Sequence, residues 1–372
     1  MTENYSRDDA VEKGDLGFAF GSGQSDDISA PAPTHFRGAG SILVDAFGRR
    51  ISSLRLSVTD RCDLRCFYCM AKTVSFQPRS EVLSLQELCQ VAEVFINLGV
   101  RNLRLTGGEP LVRRGVLWLV ERLGEQIGQG KLDELTLTTN ATRLKDEAAA
   151  LWAAGVRRIN VSLDTLDPET FHRITGHGDL HGVLDGIAAA QERGFAIKIN
   201  TVALKGVNDH EFDALIAWCG RQGADMTLIE TMPLGDIATS GRDFYLPLNE
   251  ARDRIGQRWE LLPSEFRTSG PSDYVTVAET GRRLGFITPL SHRFCGACNR
   301  VRVTCTGKLY MCLGRDDGVV DLRGPLRAAG DPTVLEDIVR TAIAGKPEGH
   351  KFGAGGGRAE GALARRMNVT GG

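Results

Sequence analysis

The chain lacks several things, and each lack removes a class of function. Its 372 residues contain no run of about 18 apolar residues, so no transmembrane helix is expected. The opening stretch MTENYSRDDAVEKGD has no apolar core, so it does not read as a secretory leader. Neither sign of charge is in excess: 45 Lys and Arg stand against 47 Asp and Glu, a net charge of −2. Nothing global therefore selects a nucleic acid or a membrane as partner, and any anion must be held by a local group of bases. No internal repeat is visible beyond a β/α rhythm. These absences point to a cytoplasmic protein, where thiols stay reduced. Its nine cysteines are then expected as ligands or core residues rather than as disulfides.

What is present has a clear organisation. Residues 1–45 are rich in Gly, Ser, Asp, Ala and Pro and are expected to form a disordered extension. From Ile51 to Glu230, strand-like and helix-like stretches alternate. Strands are expected at Leu54–Val58, Leu103–Thr106, Leu135–Thr138, Ile159–Leu163, Ile197–Val202 and Met226–Glu230. Between the first two, Ser84 and Glu87 form an S-x-x-E capping box ahead of an apolar stripe of Leu85, Leu88, Val91, Phe95 and Leu98. Six such strands imply an α/β unit over residues 46–240, either a parallel sheet or a barrel. Residues 241–345 are expected as an α+β extension, with a strand pair near Tyr274–Ile287 and a helix near Thr333–Ala344. Residues 346–372 form a glycine-rich tail ending in Gly371 and Gly372.

Side chains alternate along a strand, so each strand divides into two faces. One face carries Leu54, Leu56, Leu103, Leu105, Leu135, Leu137, Ile159 and Val161, which helices should cover. The other carries Arg55, Arg104, Thr136, Thr138, Asn160, Ser162, Asp164, Lys198 and Asn200. Strands buried on both faces would not read this way. The polar face should line a lumen, and its bases need either an anion or pairing carboxylates such as Asp164.

The cysteines fall into two groups. Cys62, Cys66 and Cys69 follow the first strand as C-x3-C-x2-C, a pattern suited to iron–sulfur or zinc binding. Three thiolates on a four-iron cube leave one iron open, whereas zinc would need a fourth donor that is not nearby in sequence. Cys295, Cys298 and Cys312 form C-x2-C-x13-C, with Cys305 between them. All four together would suit a zinc ribbon, and spacing does not separate zinc from iron–sulfur there. Strand alternation puts Cys305 with Val301 and Val303 on an apolar face, as a core residue. Cys89 and Cys219 also read as core. His172, His177 and His181 match no helical zinc spacing and are expected on a surface loop.

The first triad, with Tyr68 before its third cysteine, is joined by Thr106-Gly107-Gly108-Glu109-Pro110 after the second strand. Together they resemble the radical S-adenosylmethionine (SAM) superfamily. That resemblance implies a partial (β/α)6 barrel of TIM type, a [4Fe–4S] cluster on Cys62, Cys66 and Cys69, and SAM at the Gly107, Gly108 and Glu109 turn. The site would lie at the C-terminal ends of the strands.

The segments SLRLSVTDRC, RLTGGEPLVRR, TTN, RRINVSLDTLDPETF, CNRVRVT, GKLYMCL and the terminal MNVTGG extend the likeness. From about residue 45 onward they are similar to the GTP 3′,8-cyclase family of molybdenum cofactor biosynthesis (MoaA). This implies a second [4Fe–4S] cluster on Cys295, Cys298 and Cys312, whose open iron meets the guanine of the substrate. It implies GTP contacts at Arg55, Arg104, Thr138, Lys198, Arg300 and Arg302. SAM contacts are implied at Tyr68, Gly108, Ser162 and Met232, with Glu109 on the SAM amino group. Gly371 and Gly372 would reach into the site. Two positions depart from the pattern: Asn102 stands where lysine is frequent, and Thr227 where arginine is frequent.

The reaction implied is a lyase step. A SAM-derived radical takes hydrogen from C3′ of GTP, and C3′ then bonds to C8 to give (8S)-3′,8-cyclo-7,8-dihydroguanosine 5′-triphosphate. The implied partners are a low-potential electron donor and cyclic pyranopterin monophosphate synthase (MoaC) downstream; a homodimer is left open. Two rival readings are a peptide-modifying radical SAM enzyme with an auxiliary cluster, and a zinc protein binding nucleic acid, which has no use for the GGEP turn.

Overall fold

The computed structural model describes residues 42–70, 74–235, 244–329, 332–352 and 362–371. The chain divides into two units, Met1–Ala39 and Gly40–Gly372, and every element below belongs to the second. Most of the expected extension, residues 353–361 of the tail and Gly372 lie outside the described residues.

Six strands, β1 (Ser53–Ser57), β2 (Asn102–Thr106), β3 (Glu134–Thr139), β4 (Arg158–Ser162), β5 (Ala196–Ala203) and β6 (Asp225–Glu230), pair in parallel in chain order. Each lies within two residues of its sequence-derived bounds. Helices α1 (Leu85–Asn97), α2 (Val116–Gly128), α3 (Leu144–Ala153), α4 (Pro168–Thr175), α5 (Leu180–Glu192) and α6 (Phe212–Arg221) connect them. The capping box opens α1 as expected: Glu87 N donates to Ser84 Oγ at 3.1 Å, and Ser84 N donates to Glu87 Oε2 at 2.6 Å.

The C-terminal part adds α7 (Leu248–Gly256), β7 (Leu261–Pro263), β8 (Asp273–Val277), β9 (Arg282–Ile287), β10 (Arg300–Val303), β11 (Lys308–Tyr310), β12 (Val320–Asp321), α8 (Arg323–Ala329), α9 (Pro332–Ala344) and α10 (Met367–Thr370). Its strands extend both edges of the same sheet. The order is β12-β11-β10-β1-β2-β3-β4-β5-β6-β9-β8-β7, twelve strands. β10 runs parallel to β1 and β9 parallel to β6, while the outermost strands are antiparallel. Among the described residues no hydrogen-bonded ladder joins β12 to β7, so the sheet is a partial TIM-type barrel rather than a closed one.

The apolar face is buried against the helices: Leu54, Leu56, Leu105, Leu137, Ile159, Val161, Ile199 and Leu228 are fully enclosed. That burial drives the fold, and it leaves the polar face turned inward. The described fold starts at Ile42, ahead of the boundary that composition suggested. Leu43 is buried, and Asp45 takes Arg49 N at 3.0 Å to close a turn. The three histidines do not share a loop. His172 lies in α4 and His181 in α5; only His177 is on the connection, donating to Asp63 O at 2.6 Å. Helix caps at Asp167 and Asp179, overlooked in the reading of this stretch, define both helices. Among the described residues, no helix is long and apolar enough to cross a membrane.

Candidate active site

Parallel pairing lines up the polar face in lateral rows. Arg302, Arg55, Arg104 and Thr136 stand in register across β10, β1, β2 and β3. Thr138, Asn160 and Lys198 form the next row, and Ser162, Asn200 and Thr227 another. The loops at the C-terminal ends of the strands bring both cysteine groups over these rows. One cavity results. Every candidate residue except the tail glycines lines it: both triads, the Gly107-Gly108-Glu109 turn, Tyr68, Ser162, Met232, Thr138 and the five bases.

The GGE turn is held by backbone. Gly108 N donates to Thr59 O at 2.9 Å, and Glu109 N donates to Arg61 O at 2.8 Å. A Cβ on Gly107 would stand 2.5 Å from Thr59 O, and one on Gly108 would stand 2.3 Å from Arg61 O. The close approach that these glycines permit is therefore to the loop that begins the first cysteine segment. Glu109 is buried and accepts from Leu111 N at 3.0 Å, Thr139 Oγ1 at 2.8 Å and Asn140 N at 2.7 Å. Burial raises its pKa to about 7, against the lowering effect of those donors. Three of a carboxylate's roughly four acceptor positions are thus used, and one is open.

The first triad is a crowded set of thiols. Burial pushes Cys62 and Cys69 up to about 12, and Cys66 well above its ordinary value; the thiols of Cys62 and Cys66 each feel their neighbours' charge. A cation among them is what would relieve that cost. In the second triad, burial opposes ionisation of Cys298, but Arg300 and Lys346 pull it down to about 7. Among the described residues, no three Cys, His, Asp or Glu side chains converge as a single metal ion needs. A cube asks less convergence, since its cysteines bind different irons. Cys305 is buried in the core and does not line the cavity, so the four-cysteine ribbon does not form. The donor sets fit two three-cysteine cubes.

The bases are not internally paired. Among the described residues, no carboxylate lies within ion-pair distance of Arg55, Arg104, Lys198, Arg300 or Arg302. Asp164, the sequence's candidate partner, instead accepts from Tyr68 Oη at 2.7 Å and Val202 N at 2.8 Å. Arg104 is 9% exposed and, among the described residues, donates to Thr136 Oγ1 alone, at 3.3 Å. Arg302 donates to Thr370 O at 3.5 Å and to Gly371 O, which brings the tail to the cavity wall. A side chain on Gly371 would collide with the Thr106 hydroxyl. Burial, then Arg302, Arg104 and Arg300, hold the pKa of Arg55 well below its ordinary value.

Tyr274 went unremarked in the sequence as a site residue. Its phenol oxygen accepts from Lys198 Nζ at 3.3 Å. Gly285 makes room for it: a Cβ there would stand 2.8 Å from Tyr274 Cε1 and 2.9 Å from Thr227 Oγ1. The strand pair was legible, but its docking beside β6 was not, so the ring could not be placed next to Lys198. Asn140 also gains a role from the fold, donating to Asp63 Oδ1 at 2.8 Å beside Cys62.

Lys198 gives a pH test. It is 7% exposed, and burial lowers its pKa from 10.5 to about 8. Between those values the unfolded chain holds a proton that the folded chain has released, so stability rises with pH. The buried thiols, whose pKa values are raised, oppose this above about pH 9. The Lys198 contribution is therefore read as a difference: in urea, the ligand-free parent should gain stability relative to Lys198→Met between pH 8 and pH 10. Lys198→Met should lose that part of the slope; an unchanged slope would assign it to other groups.

Comparison with known proteins agrees with this arrangement. The Radical SAM superfamily matches residues 56–219, and Molybdenum Cofactor Synthesis C matches residues 224–352. The chain is similar to the GTP 3′,8-cyclase of Erythrobacter litoralis, 57% identical over 334 residues, covering 90% of this chain and 100% of that one. It is also similar to the GTP 3′,8-cyclase of Rhizobium meliloti, 54% identical over 330 residues, covering 89% and 94%. Among solved structures, Streptococcus suis SuiB bound to S-adenosylmethionine shares the fold with a TM-score of 0.56 at 16% identity, covering 86% of this chain and 78% of that chain. SuiB bound to its precursor peptide SuiA gives the same TM-score and identity, covering 80% and 71%. At that identity the likeness speaks for the fold alone. Identity above one half along nearly the full length of these relatives decides the family: the chain belongs to the GTP 3′,8-cyclases (MoaA), enzymes of the radical SAM superfamily.

Proposed function

We propose that this enzyme converts GTP to (8S)-3′,8-cyclo-7,8-dihydroguanosine 5′-triphosphate. The observation that carries the proposal is one cavity holding two cysteine triads and five bases with no carboxylate in ion-pair distance among the described residues. A polyanion supplies the missing charge, and guanidinium forks suit phosphate oxygens.

Arg55, Arg104, Lys198, Arg300 and Arg302 then hold the triphosphate, with Thr138 as a neutral contact. Tyr68, Gly107, Gly108, Ser162 and Met232 line the SAM side, and the open acceptor position of Glu109 takes its ammonium group. Cys62, Cys66 and Cys69 hold one [4Fe–4S] cluster; Cys295, Cys298 and Cys312 hold the second. When bound, the first cluster and SAM supply a 5′-deoxyadenosyl radical. The protein's work is to aim that radical at the ribose and exclude water. The hydroxyl of Thr227 and the amide of Asn102 carry no charge, so the phosphate grip rests on the five bases alone. Gly371 closes the wall beside Arg302. The reading includes a low-potential electron donor, MoaC as the consumer of the product, and a cytoplasmic setting consistent with nine unpaired cysteines.

The test is anaerobic reconstitution with iron and sulfide, followed by SAM, reductant and GTP. About eight irons per chain, with GTP-dependent 5′-deoxyadenosine and a cyclised nucleotide, are expected. Deoxyadenosine formation that ignores GTP, with no nucleotide product, would overturn the proposal in favour of another radical substrate such as a peptide.

A further inference from the structure

The second triad sits under a strap. After α9 the chain turns through Lys346, Pro347, Glu348 and Gly349 and crosses the loop that carries Cys295. A side chain on Gly349 would stand 3.2 Å from Cys295 Sγ. Two buried cations tie this strap down. Arg49 pairs with Asp45 at 2.6 Å and donates to Cys295 O at 2.8 Å, Glu348 O at 2.6 Å and Pro347 O at 2.7 Å. It thereby joins the start of the fold to one ligand arm and to the strap above it.

Lys346 is 2% exposed. Its ammonium donates to Arg300 O at 3.1 Å and to Met311 O. Arg300 is two residues past Cys298, and Met311 immediately precedes Cys312. The ammonium therefore staples the two chain segments from which the other two ligands project. Unlike Arg49, it has no carboxylate within ion-pair distance among the described residues. Capping two carbonyls needs N–H groups but no charge. A buried ammonium with only carbonyl partners is costly unless an anion lies close by. The nearby source of negative charge is the cysteine triad, of which Cys298 and Cys312 favour the charged form of Lys346.

We propose that Arg49 and Lys346 are positioning residues for the second triad, and that the charge of Lys346 stabilises the anionic cluster held there and raises its reduction potential. This rests on the reading of Cys295, Cys298 and Cys312 as cluster ligands. Arg49 acts through geometry, because Asp45 matches its charge. Lys346 acts through geometry and charge together.

The experiment uses the full chain with Cys62, Cys66 and Cys69 all replaced by alanine, so that only the second cluster forms. Iron and sulfide content, iron loss to a chelator and the midpoint potential are compared for this parent and for added Lys346→Gln, Lys346→Arg and Arg49→Gln. Lys346→Gln keeps N–H donors but no charge. It is expected to move the midpoint to more negative potential and to speed iron loss by about 10–100-fold, the usual cost of losing an outer partner of a metal site. Lys346→Arg should return both towards the parent. Arg49→Gln should speed iron loss with a smaller change of potential. Parental potential and iron retention in Lys346→Gln overturn the role of Lys346. Should that variant fail to fold, parental iron retention in Arg49→Gln overturns the clamp. A parent that binds no iron at all overturns the cluster reading itself, which separates the two failures.

Discussion

Replacing Cys62, Cys66 and Cys69 together by alanine is expected to abolish GTP-dependent 5′-deoxyadenosine formation while leaving GTP binding within about threefold of the parent. The loss amounts to the whole catalytic enhancement, which for enzymes is at least about 10⁶-fold. The SAM turn packs by its backbone on Thr59 and Arg61, next to Cys62, so the proposed electron path to SAM runs through the first triad. Iron should fall from about eight to about four per chain. The chain should still fold, because the three thiols line a cavity wall and only partly pack against the core. Loss of GTP binding in step with chemistry would mean that the two halves of the cavity are one structural unit. Cys305→Ala is the matched control. Its thiol is buried away from the cavity, so stability should drop while iron content stays at the parental level.

While the choice of a partial barrel over an open sheet came from the resemblance to the radical SAM superfamily, the alternation of apolar and polar residues in the six strands was enough to predict an α/β unit and its inward polar face. This worked because each parallel strand has one helix-covered face, so Leu54 and Leu56 alternate with Arg55 without ambiguity. The cysteine spacings marked two groups but left zinc and iron–sulfur open for the second. What the sequence hid was long-range docking. β9 and β10 flank the barrel from opposite sides, and only that placement puts Tyr274 beside Lys198 and Arg302 beside Arg55. The strap is hidden for the same reason. Arg49 and Glu348 are 299 residues apart, and neither carries a local signature of its partner. The GGE turn was found by motif, and the fold adds a local reason for its glycines. The glycines fit the turn against Thr59 and Arg61, and so fix the spacing between the SAM turn and the first triad.

Arg55→Met and Arg158→Met should have opposite consequences, although both residues stand on the same polar face. Arg55 lies between Arg302 and Arg104 in register and has neither a carboxylate nor a hydrogen-bond partner among the described residues. Without ligand it is a half-buried charge under repulsion, so a neutral side chain of similar volume should stabilise the free protein, by about 1 kcal/mol. The same change removes charge-assisted hydrogen bonds to the triphosphate. Each such bond contributes about 1.5–3 kcal/mol, so GTP affinity should fall by about 10–100-fold with SAM affinity retained. Arg158 stands opposite Thr136 but is already paired, its Nη2 and Nε donating to Glu134 at 2.6 and 2.8 Å. That pair is partly exposed, so Arg158→Met should lose no more than about 1 kcal/mol of stability and little GTP affinity. Urea melts with and without GTP, together with nucleotide titrations, read both quantities. The reverse pattern, with Arg55→Met destabilising the free protein and sparing GTP, would make the row of bases a structural device and remove the argument for a polyanionic substrate.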